Sequence, residues 1–250
     1  MARGTSSHAA DDVGTDQFTK AGVLATILIV LAGSAAQLIN YGFFDQRIGA
    51  LGSGSDGGVF GAVGDIAVAA AAVSAWLVAA RVRSARPVAA VLAGLLTFLA
   101  VDQAVGLHDH IPHWLAFYLP VLLASFVCLV AVARGIPWRP RHRVDHGAGR
   151  AVVERLVGVG LALLIFSFLL HLFGERLLLD LGVSDTTGLA VQVKAVVKHG
   201  TEVAGWLLIA LGLLRLGLLS RRHPDAAAPP GVLRQAGHAA QPRLPRHEPR

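Results

Sequence analysis

Six stretches of mostly apolar residues, at 20–44, 59–80, 87–107, 114–133, 152–174 and 189–218, constrain what this chain can become. Each is about 20 residues or slightly longer, the length a helix needs to cross the hydrocarbon core of a bilayer. Backbone amides in lipid find no water to bond, so each stretch has to be helical. The fold class this predicts is an all-α, polytopic transmembrane helix bundle of six spans. Charged residues make up 15% of the chain and hydrophobic ones 54%, whereas soluble domains carry about 25% charged residues. That balance excludes an ordinary soluble enzyme, a nucleic-acid-binding domain and a disordered regulator.

Residues 1–19 are polar, lack apolar periodicity and read as a disordered cytoplasmic tail. The six-span transmembrane domain occupies 20–220. Residues 221–250 are basic and rich in Pro, Ala and Arg; they cannot build a core and read as a second disordered tail. The net charge of +6 sits largely on arginines at loops and the C-terminal tail, which suits anionic lipid headgroups and not a duplex. The expected partners are therefore membrane lipids, with anionic headgroups at the basic cytoplasmic loops and no nucleic acid. Cys128, the single cysteine, lies in an apolar run, so there is no disulfide framework and no thiolate zinc site.

The arginines also orient the spans. Arg81, Arg83 and Arg86 follow span 2; Arg134, Arg139, Arg141, Arg143 and Arg150 follow span 4; Arg221 and Arg222 follow span 6. The remaining loops carry mainly acids and histidines. The positive-inside rule then places both termini in the cytoplasm of a bacterial inner membrane, with the loops after spans 1, 3 and 5 outside. Val23–Leu31 followed by Ser34, Ala35 and Ala36 has the outline of a signal peptide. The acidic segment before it and the apolar run continuing to Phe44 favour a retained span.

Ala67, Ala71, Ala75 and Ala79 repeat every four residues on span 2, a spacing that lets neighbouring helices approach closely or lets two copies associate. Trp138 with Arg139, Arg141 and Arg143 reads as an interfacial anchor.

An ionisable residue inside a membrane is costly and becomes a functional candidate by default. Depth sorts the candidates here. At about 1.5 Å per residue, Asp102 lies roughly 22 Å along span 3, near its outer end. His108 follows at the surface, His171 and Glu175 sit at the outer end of span 5, and Lys198, His199 and Glu202 occupy the outer third of span 6. Gln37, Asn40, Tyr41 and Asp45 share one face of span 1, and Asp65 lies near the start of span 2. The inner halves of the spans are almost purely apolar. Five helices can thus aim polar faces into one outward-opening pocket, lined by Gln37, Asn40, Tyr41, Asp45, Asp65 and Lys198.

The residue types allow three functions. Asp102, His108, His171, Glu175, His199 and Glu202 have the donor chemistry of a metal site in a helix bundle, suited to a divalent zinc, iron or manganese ion. Such an ion could serve a membrane-embedded hydrolase or oxidoreductase, with an unbound carboxylate as base. In a proton- or cation-coupled transporter, Glu202 and Asp102 would carry the charge, with Lys198 as counter-ion. In a structural protein, the same residues would form ion pairs such as Lys198–Glu202 and Arg176–Glu175. The histidines at 108, 110 and 113 read as a solvated surface loop, and a haem between His108, His171 and His199 is a minor option. Gly52–Gly58 is glycine-rich but lacks the Gly-Lys-Ser/Thr ending of a phosphate loop.

FLAVDQAVGLHD (98–109), with Trp114 and the Tyr118-Leu119-Pro120 opening of span 4, resembles a pattern in uncharacterised bacterial multi-pass membrane proteins. HLFGERL (171–177) is similar to their acid-ended fifth helix. KHGTEVAG (198–205) is similar to their last helix at Glu202 and Gly205, while Lys198 and His199 replace its paired acids. The resemblance covers roughly 90–215 and implies a six-helix membrane fold without naming an activity. The ceramidase and progestin-receptor superfamily is echoed by Asp102 and three histidines. Its seven spans and its His-x-x-x-His pair in the last helix have no counterpart here.

Overall fold

In the computed structural model, all regular structure among the described residues, 6–51, 58–111, 113–134, 147–182 and 188–220, is helical. Six long helices account for nearly all of it: α1 (Ser6–Phe44), α2 (Val59–Arg81), α3 (Arg86–Val105), α4 (Trp114–Ala133), α5 (Gly147–Asp180) and α6 (Leu189–Leu219). All six are long and apolar enough to cross a membrane. The glycine-rich loop, the Trp138 segment and the C-terminal tail lie outside the described residues.

The helices start and stop on local chemistry. Gly58 and Gly188 precede α2 and α6 in extended conformations, with no side-chain cap. Pro87 opens α3, where a missing amide hydrogen costs nothing. Gly106 ends α3 at φ 63°, a left-handed conformation in which a side chain would be strained. Two helices overrun their apolar stretches. α5 has 34 residues, or about 51 Å of helix, well beyond a hydrocarbon core of about 30 Å. Its additional turns, which include Glu175 and Arg176, are amphipathic or polar and keep helical bonding outside the core.

The first segment also differs from the tail expected at 1–19, because α1 is already helical from Ser6. The physical reason lies on the far side of the chain. Arg215 of α6 donates through Nη2 to Asp16 at 2.8 Å and through Nη1 to the Thr19 hydroxyl, so the polar turns of α1 have a docking partner. Ser34, Ala35 and Ala36 lie inside the unbroken helix, where the Ser34 hydroxyl donates to the Val30 carbonyl at 2.7 Å.

Packing is organised around α6. α2 meets α3, α3 meets α4, α4 meets α5, α5 meets α6, and α6 returns to α2, while α1 lies against α6. Lipid is as apolar as a leucine side chain, so close fit has to hold these helices together. Ala67, Ala71 and Ala75 have no exposed surface and Ala79 is 5% exposed, all within one core with Leu92, Leu96, Ile209 and Leu213. The alanine face of α2 is thus used up inside the chain and is not free for a second copy. Large apolar side chains on α1 such as Leu24, Ile27, Leu28 and Leu31 face outward instead, as lipid contact requires.

Candidate functional site

Three helices, α2, α5 and α6, bring polar residues together near one end of the bundle. α2 and α6 run side by side in the same direction, and the Phe60 ring stacks on His199 with centroids 6.2 Å apart. His199 Nδ1 lies 3.9 Å from a carboxylate oxygen of Glu202, one turn further along α6. The charged neighbours of Glu202 are Lys198 and Asp65, so α2 contributes a second carboxylate to this layer. On the α5 side, the Ser167 hydroxyl donates to the Lys198 carbonyl at 3.0 Å. His171 is exposed, with Lys194, Lys198 and Glu175 as its charged neighbours.

Several expected members go elsewhere. Glu175 reaches Lys194 at 3.6 Å with 86% of its side chain exposed, so it ties the ends of α5 and α6 together and does not pair with Arg176. The Lys194 stem passes over Gly174, where a β-carbon would sit 3.1 Å from Lys194 Cδ. Glu202 has His199 as its close partner in place of the expected Lys198 contact. Asp102 is buried on another seam, between α3 and α4, where its carboxylate and the Tyr118 hydroxyl interact. Tyr118 is held there by the Phe98 and Phe117 rings. His108 belongs to a short 3₁₀ turn, Leu107–His110, and its side chain lies outside the described residues.

The α1 face also divides. Gln37 is buried, and its Nε2 donates to Gln192 Oε1 of α6 at 3.3 Å. Asn40 is buried as well, but its amide is occupied by Ile48: Nδ2 donates to the Ile48 carbonyl at 2.9 Å and Oδ1 accepts from the Ile48 amide at 3.1 Å. Asn40 therefore clasps the turn after α1 and is not a pocket donor. Tyr41 is half-buried. Asp45 follows the end of α1 at φ 48°, so the helical face carried by Tyr41 does not continue through it, and its side chain is exposed.

Among the described residues, no three His, Cys, Asp or Glu side chains gather as metal ligands do. Of the expected donors, Asp102 and Glu175 lie on other seams than His199 and Glu202, and the His108 side chain lies outside the described residues. Elemental analysis of protein purified in detergent tests a metal centre: one equivalent of zinc, iron or manganese, lost in His171→Ala/His199→Ala protein that still folds, would establish one.

One polar site escaped the sequence analysis. Arg215, 4% exposed, lies near the opposite end of α6 with Asp16 and Thr19. Its signal was a lone charge inside a leucine-rich run, and a charge at that depth needs a partner.

Compared with known proteins, the chain matches no family model, no curated protein and no solved structure. The class therefore rests on the helices: six of membrane-crossing length and composition make this a multi-pass membrane protein.

Proposed function

We propose that the chain is a small proton- or cation-coupled protein of a bacterial inner membrane, with His199 and Glu202 as its protonatable pair and Lys198 as the internal counter-ion. Both termini are cytoplasmic in this reading, supported by Arg81, Arg83 and Arg86 at the α2–α3 turn. The pair then opens outward.

The observation that carries the proposal is the 3.9 Å between His199 Nδ1 and the Glu202 carboxylate in the outer half of α6. An imidazole and a carboxylate so placed exchange a proton through a small rotamer change or one bridging water. Asp65, Lys198 and His171 supply further groups that hold or repel charge around the pair. Two of the six donors named for a hydrolase or oxidoreductase centre, Asp102 and Glu175, belong to other seams, which favours the protonation reading. A purely structural role would favour direct acid–lysine pairing on α6, whereas Glu202 has a histidine as its close partner.

The test is proton uptake into proteoliposomes under an imposed potassium-diffusion potential, read with a trapped pH dye. Wild-type protein acidifies the lumen faster than empty vesicles, and Glu202→Gln reduces uptake to the empty-vesicle rate while remaining monodisperse. Equal uptake by wild type and Glu202→Gln would remove the proposal.

A further inference from the structure

α1 and α2 both pack on α6, and an open groove of about 210 Å³ remains where the three helices come together. Gly22 and Ala25 of α1, Ala70 and Ser74 of α2, and Ala210 and Leu211 of α6 line it. Gly22 lets α1 approach α6, since a β-carbon there would lie 2.8 Å from Leu211 Cδ1. Ala25, Ala70 and Ser74 are short and leave space between α1 and α2. Further along, Gly33 of α1 meets the Phe60 ring, which brings α1 and α2 together at that end. The lining is mostly apolar, and the Thr26 hydroxyl within it donates to the Gly22 carbonyl at 2.9 Å.

The opposite end of the groove leads to an arginine. Ala70, Ser74, Leu77 and Arg81 follow at intervals of four, three and four, so they share one face of α2. Arg81 lies roughly 10 Å along the axis beyond Ser74. Leu77, between them, is turned onto Gly217 of α6, where a β-carbon would lie 3.1 Å from Leu77 Cδ2. Arg81 Nη1 is buried and has no hydrogen-bond partner. The neighbouring Arg86, by contrast, donates through Nε to the Ala79 carbonyl at 3.2 Å. A buried donor without an acceptor is costly, and a guanidinium fork matches the oxygens of a phosphate.

We propose that the groove holds one acyl chain of an anionic phospholipid whose phosphate is bound by Arg81. All the lining residues fall within the membrane-crossing segments of α1, α2 and α6, and Arg81 is the last residue of that of α2. The groove thus lies at acyl-chain depth and the guanidinium at headgroup depth. Arg83 and Arg86 follow at once and add positive charge where the headgroup sits. The groove runs roughly 10 Å along the helices, room for a run of methylenes but not for a helix of about 10–12 Å diameter from a second copy. Residues 221–250 are basic and share the sign of Arg81, so they do not compete for it. α1 has the least buried membrane-crossing window of the six, at 17%, and a lipid wedged beside it supplies contacts that α2 does not.

The experiment counts lipids on the full chain. Protein in vesicles of phosphatidylglycerol and phosphatidylcholine with identical acyl chains is extracted in mild detergent, and retained lipid is read by native mass spectrometry. The wild type keeps one phosphatidylglycerol in preference to phosphatidylcholine. Arg81→Gln lowers that occupancy by about tenfold or more, the scale of one charge-assisted hydrogen bond. Arg83→Gln, at the exposed turn of the same end, leaves it unchanged. Ala25→Phe fills the groove from an exposed position on α1 and expels the lipid with Arg81 intact. Ala70→Phe does the same from α2, and size exclusion shows that each variant is folded. Equal retention of the two lipids, or equal losses in Arg81→Gln and Arg83→Gln, would overturn the site in favour of a diffuse basic surface. Retention untouched by both phenylalanine variants would overturn the groove, as would a dimer that Ala25→Phe dissociates. Lipid counting involves no proton flux, so its outcome is independent of the protonation reading.

Discussion

Gly205→Val should yield little or no folded protein, whereas Gly158→Ala should purify like the wild type. At the crossing of α5 and α6, the two backbones nearly touch. A β-carbon on Gly205 would lie 2.9 Å from the Gly160 carbonyl oxygen and 2.8 Å from Leu164 Cγ, and one on Gly160 would lie 2.7 Å from the Gly205 carbonyl oxygen. A leucine tip can rotate away, but a carbonyl moves only with its helix. Valine adds branches to a contact that already excludes a methyl group, so α5 and α6 have to separate along the interface. Overpacking of this sort costs about 1–3 kcal/mol even in adaptable cores, and here the helix that separates is the hub of the bundle. Gly158 has nothing within 4 Å of its would-be β-carbon, and alanine there gains helix propensity of up to about 1 kcal/mol. Size-exclusion profiles in mild detergent and the temperature of aggregation distinguish the two. A monodisperse Gly205→Val of normal stability would mean that α5 and α6 do not cross at Gly160.

That crossing was not legible in the sequence, and the reason is general to this chain. It has 28 glycines, and no spacing rule separates Gly205, which meets a backbone, from Gly94, which meets nothing within 4 Å. The spans were legible because an apolar run of membrane length seldom folds as anything but a membrane helix. Their ends were not. Polar residues can continue a helix past the membrane, as α1 does from Ser6 and α5 does to Asp180.

The candidate site was legible in depth but not in pairing. Counting residues from the arginine-rich loops puts the histidines and acids near one end, and most of them lie there. Spacing of three or four, however, describes one helix at a time. It links His199 with Glu202 correctly, yet it also puts Asp45 on the face of Tyr41, where a left-handed residue breaks the helix. It cannot foresee that Glu175 crosses to Lys194, that Asp102 turns toward Tyr118, or that Asn40 closes on Ile48. Arg215 was hidden for a different reason. Averaged with the leucines around it, one arginine hardly lowers the hydropathy of α6, and its partners lie in a segment that looked like a tail.

The second large effect concerns the carboxylate of Glu202, and three substitutions separate proton transfer from structure. Glu202→Gln keeps shape and hydrogen bonding but cannot ionise, so it should lower uptake by about 10²-fold or more, the range that a positioned acid or base contributes. Glu202→Asp keeps the charge and shortens the side chain by one methylene. His199 Nδ1 already stands 3.9 Å away, beyond a direct hydrogen bond, so the added gap needs a water and the rate should fall by about tenfold with coupling to protons intact. His199→Gln removes the imidazole and leaves Phe60 without a ring to stack on. If the histidine is a proton station, the loss should be comparable to that of Glu202→Asp, and combining the two should cost less than the product of their separate effects, since they act in one step. A scaffold behaves oppositely. Its variants would change thermal stability in detergent while leaving proton uptake at the empty-vesicle level throughout, wild type included. The order Glu202→Gln, then Glu202→Asp and His199→Gln together, then wild type is thus specific to a proton passing between these two side chains.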